Sequence, residues 1–119
     1  MVGPPDFVEL YMNRRFLVID ENSTVGQANA MFATSKIPFL IVTVDGRPKS
    51  ILKDWDLYGE DASKPLTKLG FELEKALVEP GKAILKDVRE DLKKRTAIVI
   101  VDTYSGRIVG TLSVGDLQK

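Results

Sequence analysis

The sequence contains neither cysteine nor histidine. The absence of cysteine excludes a disulfide framework and a thiolate nucleophile, and the absence of histidine removes the commonest metal ligand and general base. No residues in the sequence combine as a nucleophile, a base and a group that orients the base. We therefore expect no catalytic residue, no metal site and no catalytic cofactor, and we expect that the protein is not an enzyme.

Two further absences concern possible partners. The 17 basic and 17 acidic residues cancel, so no net field favours nucleic acid or a membrane surface. No apolar run approaches the ~18 to 20 residues that cross a bilayer, and the segment Met1–Asp6 lacks the basic and apolar regions of a signal peptide. We expect a cytoplasmic protein without a nucleic-acid or membrane partner.

What the sequence does contain is an internal repeat. Its 119 residues, 44% of them hydrophobic, suffice for one compact domain or for two halves that share a core. Each half reads strand, helix, strand, hairpin, strand and helix. Apolar positions sixty residues apart on the two predicted helices are Val25, Ala28 and Phe32 in the first half and Leu85, Val88 and Leu92 in the second. We expect these faces to bury one common core.

Local signals place the main elements. Thr24 and Gln27 have the spacing of a capping box, which predicts the start of a helix. The apolar run Phe39–Val42 predicts a strand covered on both faces, and Ile98–Val101 repeats it fifty-nine residues later. The dipeptide Asp45-Gly46 predicts a tight hairpin turn after the first of these strands.

The candidate functional feature is Ser113-Val114-Gly115-Asp116, at the junction of a predicted strand and a predicted helix. An ionised carboxylate has two acceptor oxygens that can take both hydroxyls of a ribose, and a serine hydroxyl can donate to a phosphate. Serine and aspartate are equally the ordinary residues that cap a helix. A partial copy, Lys53-Asp54-Trp55-Asp56, stands sixty residues earlier. From these residues alone, a ligand site and a simple cap both remain open.

Taken together, these features resemble a tandem pair of cystathionine-β-synthase (CBS) domains, the unit called a Bateman module. The residues that carry the resemblance are Val8–Met12, Ile37-Pro38, Asp45-Gly46-Arg47, Gly106–Gly110, and the two endings Asp56-Leu57 and Asp116-Leu117. The resemblance implies an α/β (α+β) fold of two β-α-β-β-α motifs, residues 1–62 and 63–119, packed about a pseudo-twofold axis. It also implies a regulatory, ligand-sensing module that forms a homodimer.

The resemblance further implies two clefts for adenosine-containing ligands such as AMP, ADP, ATP or S-adenosylmethionine, with AMP the expected one. The first cleft would bind ribose, phosphate and adenine through Asp116, Ser113, Leu112, Arg14, Leu17, Ser35, Lys36, Ile37 and Arg95. The second and weaker cleft would use Asp56, Lys53, Leu77 and Thr96. It departs from the family pattern because Lys53 stands where a hydroxyl is expected.

Other readings of the same residues remain. The chain could be a ligand-free interaction or dimerisation module, or a regulatory fragment of a larger protein. Asp54 and Asp56 could form a metal pair, but no third ligand stands nearby in the sequence. The exposed aromatic pair expected at Trp55 and Tyr58 favours a homodimer interface.

Overall fold

The structure, a computed structural model, describes residues 6–118. Within that range it contains seven β-strands, two α-helices and four short 3-10 helices. The strands and α-helices are β1 (Val18–Asp20), α1 (Val25–Ser35), β2 (Phe39–Val44), β3 (Arg47–Lys53), β4 (Glu74–Lys75), β5 (Val78–Pro80), α2 (Leu85–Lys93), β6 (Ile98–Val101) and β7 (Ile108–Leu112). The 3-10 helices are Val8–Leu10, Asp54–Leu57, Leu66–Lys68 and Val114–Gln118.

The chain forms two compact units. The continuous unit is Phe16–Ala76, and the split unit combines the described residues up to Arg15 with those from Leu77 onward. The units therefore do not coincide with the sequence repeats, because each short segment that leads into a repeat belongs to the unit formed by the other repeat.

The continuous unit contains a four-stranded sheet in the order β1-β2-β3-β4, with β1 parallel to β2 and the other pairs antiparallel. The hairpin between β2 and β3 turns through Asp45 and Gly46, whose φ angles of 52° and 78° are both left-handed, as a type I′ turn requires. This confirms the predicted hairpin. The two-residue strand β4, which the sequence analysis missed, extends the sheet through pairs with Ser50 and Ile51.

Helix α1 begins at the predicted capping box. The Thr24 hydroxyl oxygen accepts from the Gln27 backbone N–H at 3.2 Å, and the Gln27 side-chain oxygen accepts from the Thr24 N–H at 2.8 Å. The helix ends at Lys36, whose φ of 59° is left-handed. Its apolar face packs in a core cluster made of Ile19, Val25, Ala28, Leu40, Val42, Leu52, Leu57 and Leu66.

The split unit contains a three-stranded sheet in the order β5-β6-β7 and the helix α2. Its core cluster is Val8, Leu85, Val88, Leu92, Ile98, Ile100 and Leu112. The structure thus shows two core clusters, one in each unit, and each contains residues of one predicted helix face. Five further buried hydrophobic residues, Phe39, Ile41, Ile51, Ala97 and Val99, belong to neither cluster. One core common to both halves stays a prediction.

Two further sequence expectations need correction. The predicted closing helices after β3 and β7 are short 3-10 helices, Asp54–Leu57 and Val114–Gln118. The strands β2 and β6 correspond at an offset of fifty-eight residues, since Leu40 pairs with Leu52 and Ile98 with Leu112. The predicted offset of fifty-nine was wrong because α2, with nine residues, is two residues shorter than α1.

The lead-in segments are the described residues up to Arg15 and residues 63–76. They are attached in the same way in both units. The Val8 N–H donates to the Ala83 carbonyl at 2.9 Å, and the Leu66 N–H donates to the Ser23 carbonyl at 2.9 Å. The side chains of these two donor residues are buried, since Val8 is 0% and Leu66 is 6% exposed. Each unit therefore depends on a segment that its own sequence repeat does not supply.

This attachment predicts a difference between two residues of one 3-10 helix. Val8→Ala should lower the free energy of unfolding by about 2 kcal/mol, because it leaves a cavity in the split-unit core. Leu10→Ala, at a position that is 67% exposed, should change it by less than about 0.5 kcal/mol. Urea denaturation of the whole chain measures both values, and equal effects of the two substitutions would refute the attachment.

Candidate functional site

Ser113 and Asp116 form one hydrogen-bonded turn in the split unit. The Ser113 backbone N–H donates to Asp116 Oδ2 at 2.8 Å, and the Ser113 hydroxyl donates to the same oxygen at 3.1 Å. The Asp116 N–H donates in turn to the Ser113 carbonyl at 3.0 Å. These bonds hold the hydroxyl and the carboxylate side by side, and both residues are half-buried.

These bonds are the ones that a helix cap makes, so the capping role of the pair is observed. A cap does not exclude a ligand, because an ionised carboxylate offers about four lone-pair sites on its two oxygens. The turn fixes the direction of the Asp116 carboxylate before any ligand arrives, and such pre-organisation lowers the ordering cost of binding.

The end of strand β7 lies beside the segment that contains Arg14. The Asn13 N–H donates to the Thr111 carbonyl at 2.7 Å, and the Thr111 N–H donates back to the Asn13 carbonyl at 2.9 Å. The Arg15 N–H donates to Asn13 Oδ1 at 2.8 Å, which shapes the turn around the exposed Arg14. The structure thus brings the Arg14 segment next to the strand that ends in the buried Leu112.

Three other sequence-predicted residues belong to the split unit. Arg95 and Thr96 follow helix α2, and both are half-buried. Leu77 precedes β5 and packs against the split-unit core, and its carbonyl accepts from the Val99 N–H at 2.9 Å.

The continuous unit holds the remaining residues of the first predicted set. The Ser35 hydroxyl donates to the Met31 carbonyl at 2.6 Å and accepts from the Ile37 N–H at 3.2 Å. Lys36, between them, is exposed and left-handed. Leu17 is half-buried, and its carbonyl accepts from the Ile41 N–H at 3.0 Å. The Ile37 N–H is therefore engaged with the Ser35 hydroxyl.

The second predicted set repeats the turn of Ser113 and Asp116 with different chemistry. The Lys53 N–H donates to Asp56 Oδ2 at 2.9 Å, as the Ser113 N–H does to Asp116. The Lys53 ammonium lies 3.8 Å from Asp56 Oδ2 and 3.6 Å from Glu74 Oε1. The Lys53 side chain is only 15% exposed, so this cation is held between two carboxylates of its own unit.

Sequence reasoning identified Lys53 as a departure but missed Glu74. The sequence carries no signal for Glu74, because its position opposite Ile51 depends on the short strand β4, which propensity does not predict. Among the described residues 6–118, no group of three or more carboxylates could hold a metal ion, and the Asp54–Asp56 pair gains no third ligand there. No helix within that range is long and apolar enough to span a bilayer.

Comparisons with known proteins agree with this geometry. Residues 8–62 match the family model of the CBS domain. A crystal structure of a hemolysin-like CBS-domain protein from Oenococcus oeni superposes with a TM-score of 0.79 at 16% identity, covering 95% of this chain and 88% of that chain. No protein of curated function matches the chain. The chain has the fold of a CBS domain pair.

Two further structures that superpose on this chain contain ligands. The CBS domain pair of protein MJ0100, in complex with 5′-methylthioadenosine and S-adenosylmethionine, superposes with a TM-score of 0.74 at 16% identity, covering 97% of this chain and 94% of that chain. The cytosolic domain of the Mg2+ channel MgtE, in complex with ATP, gives 0.73 at 21% identity, covering 90% of this chain and 45% of that chain. At these identities the likeness establishes the CBS fold.

The ion pairs of Lys53 generate a prediction about the stability of this chain. Lys53→Met should lower the free energy of unfolding by about 1 to 2 kcal/mol, because it removes the ammonium that contacts both Asp56 and Glu74. The loss should be smaller than that of a fully buried ion pair, because the Lys53 side chain is 15% exposed. Lys49→Met on the same strand removes a pair whose lysine is 57% exposed, and should cost about 0.5 kcal/mol or less.

A double variant tests the contact between Lys53 and Glu74. Lys53→Met and Glu74→Gln each remove the same Lys53–Glu74 contact, so the double variant should lose less stability than the sum of the two single variants. Chemical denaturation of the wild type, the two single variants and the double variant measures this coupling. Strictly additive losses would show that the Lys53–Glu74 contact does not stabilise the fold.

Proposed function

We propose that this protein is a non-catalytic, cytoplasmic regulatory module that senses an adenosine-containing ligand, with AMP the expected one. The observation that carries the proposal is the turn in which the Ser113 hydroxyl and the Asp116 carboxylate lie 3.1 Å apart at the end of β7. The bound ligands of MJ0100 and MgtE, which share the fold, are also adenosine compounds.

Each group of the turn has a chemical task in this proposal. The Asp116 carboxylate accepts hydrogen bonds from the two ribose hydroxyls. The Ser113 hydroxyl, whose single proton is directed at Asp116 Oδ2 in the structure, turns to donate that proton to the phosphate. Arg14, Lys36 and Arg95 are cations of the predicted first set, and the guanidinium groups are suited to a phosphate because of their planar fork of donors.

The second predicted set, at Asp56, differs from the first in the residue that faces its carboxylate. Its carboxylate, Asp56, already faces the ammonium of Lys53, so a ribose would have to displace an ion pair to reach it. The Asp116 turn holds a small hydroxyl in the same position. We therefore assign the tighter site to Asp116.

Asp116→Ala tests the assignment. It should weaken AMP binding roughly ten- to a hundredfold, since a hydrogen bond to a charged group contributes on the order of 1.5 to 3 kcal/mol. Asp56→Ala is the matched control because it removes the same backbone capping bond in the other repeat, and it should leave the tight phase nearly unchanged. Isothermal titration calorimetry with AMP and ATP measures both, and the reverse pattern would contradict the assignment.

Exchange of the two equivalent residues is a sharper test. Ser113→Lys should place an ammonium against Asp116 and abolish the tight phase, whereas Lys53→Ser should release Asp56 and add a second binding event. The melting temperature without ligand shows whether each variant is folded. A Lys53→Ser protein that still binds one equivalent would show that Lys53 does not block the second site.

Two exposed aromatic residues favour self-association as an additional property. Trp55 is 58% and Tyr58 is 72% exposed, at the 3-10 helix after β3. Aromatic side chains of this kind are common anchors of protein interfaces. We propose a homodimer through this surface. If the module bound no ligand, dimerisation would be its function.

Light scattering tests the association. The wild-type chain should have twice its monomer mass of 13.2 kDa, and the double variant Trp55→Ser/Tyr58→Ser should be monomeric. Tyr104→Ser, at a hairpin position that is 96% exposed, is the control and should remain dimeric. A monomeric wild-type chain at high concentration would contradict the dimer.

Ligand-induced thermal stabilisation separates a sensor from a ligand-free module. A ligand at a hundredfold excess over its Kd should stabilise the folded chain by about 2.7 kcal/mol.

A further inference from the structure

The continuous unit contains a cavity that the proposed function does not use. Its volume is about 350 Å³, within the range of roughly 300 to 1,000 Å³ that is usual for small-molecule sites. The apolar wall consists of Val42, Leu66, Leu69, Phe71 and Leu73. The cavity is therefore bounded by strand β2 and by the segment between the 3-10 helix Leu66–Lys68 and strand β4.

Ser50 is the buried one among the polar residues that line this cavity, whereas the other hydroxyl residue, Thr67, is exposed. Ser50 is 8% exposed, and its hydroxyl makes no hydrogen bond with any part of the chain that the structure describes. The fully buried side-chain oxygens of the described residues all have partners, so the Ser50 oxygen is still reached from the cavity. A ligand with a hydrogen-bonding group can therefore pair with this hydroxyl, and such a hydrogen bond contributes about 0.5 to 1.5 kcal/mol.

The split unit fills the equivalent place with a methionine side chain. Gly110 occupies the position of Ser50, and a Cβ added there would lie 2.7 Å from the Met12 sulfur and 2.9 Å from the Asn13 carbonyl oxygen. Methionine readily fills such irregular spaces. A glycine covered by methionine in one unit thus corresponds to a serine facing an open cavity in the other.

The length of the lead-in segment accounts for the difference. Val8 and Leu66 attach by equivalent bonds, but Val8 stands ten residues before Val18 and Leu66 stands twelve residues before Val78. The second lead-in therefore has two additional residues, and Gly70-Phe71-Glu72 lies within this longer stretch. The Ser50 side chain also prevents the close backbone approach that Gly110 allows.

The cavity lies on a different face of the sheet from the second adenosine set. Ser50 and Leu52 are two residues apart on β3 and share the face of the core cluster, whereas Lys53 is on the opposite face. Adjacent residues of β4 divide in the same way, since Lys75 lines the cavity and Glu74 contacts Lys53. A ligand in this cavity is therefore not the adenosine ligand of the proposed function.

The rim of the cavity has no excess charge. Glu21 and Lys49 form an ion pair of 2.7 Å, and Glu72 and Lys75 add one charge of each sign. Such a rim does not select for an anion or a cation. The wall and Ser50 instead match a molecule with an apolar body and one neutral hydrogen-bonding group.

We propose that this cavity is a second ligand site, for a small uncharged molecule with an apolar ring or chain and a single hydroxyl that pairs with Ser50. The apolar body packs against Leu66, Leu69 and Leu73, and it contacts Phe71, a lining residue that is 46% exposed. The site exists in the continuous unit, where residues of both repeats line it.

NMR titration of the whole 15N-labelled chain with 4-methylphenol and with toluene tests the proposal. These probes differ by one hydroxyl. Both should shift the amide signals of Ser50, Leu69 and Phe71 saturably, and 4-methylphenol should bind more tightly. Ser50→Ala should weaken 4-methylphenol about three- to tenfold, the contribution of one neutral hydrogen bond, and leave toluene unchanged.

Two further variants serve as controls. Ser50→Val adds methyl groups to the cavity and should abolish binding of both probes, while Ser63→Ala, at an exposed turn, should change neither. The proposal is overturned if neither probe gives saturable shifts at these amides, if Ser50→Ala weakens both probes equally, or if AMP displaces 4-methylphenol. If Ser50→Val does not fold, the Ser50→Ala result decides alone.

Discussion

The backbone hydrogen bonds that attach each lead-in segment to a unit are the constraint on which the rest of the structure depends. Val8 and Leu66 bind the carbonyls of Ala83 and Ser23, directly before α2 and α1. Each bond places an apolar side chain over the first turn of a helix and completes a core cluster. It also sets where the following residues run, and these are the residues that form the Arg14 turn in one unit and the cavity wall in the other.

The same backbone turn carries two different chemistries after β3 and after β7. In both, an aspartate accepts from the backbone N–H three residues earlier, at 2.9 Å and 2.8 Å. The side chain at the first position differs, because a hydroxyl donates to Asp116 at 3.1 Å after β7, whereas an ammonium lies 3.8 Å from Asp56 after β3. A duplicated fold thus needs one substitution, supported by Glu74 from β4, to make its two halves unequal.

The sequence could predict those features that rest on local chemistry. The capping box of Thr24 and Gln27 and the turn at Asp45-Gly46 depend on side chains and φ angles within four residues, and both form as predicted. Other features depend on which distant segments pair. These are the two core clusters, the short strand β4 and the contact of Glu74 with Lys53. No local pattern encodes that choice, and the true offset of fifty-eight between β2 and β6 likewise follows from the length of α2.

Strand β4 links the two asymmetric features of the continuous unit. It has two residues, of which Lys75 pairs with Ser50 and lines the cavity, while Glu74 pairs with Ile51 and contacts Lys53. The side chains of adjacent strand residues point to opposite faces of a sheet, so this strand of two residues contributes both to the cavity wall and to the ion pairs of Lys53. Both asymmetric features of the continuous unit therefore depend on the pairing of β4 with β3.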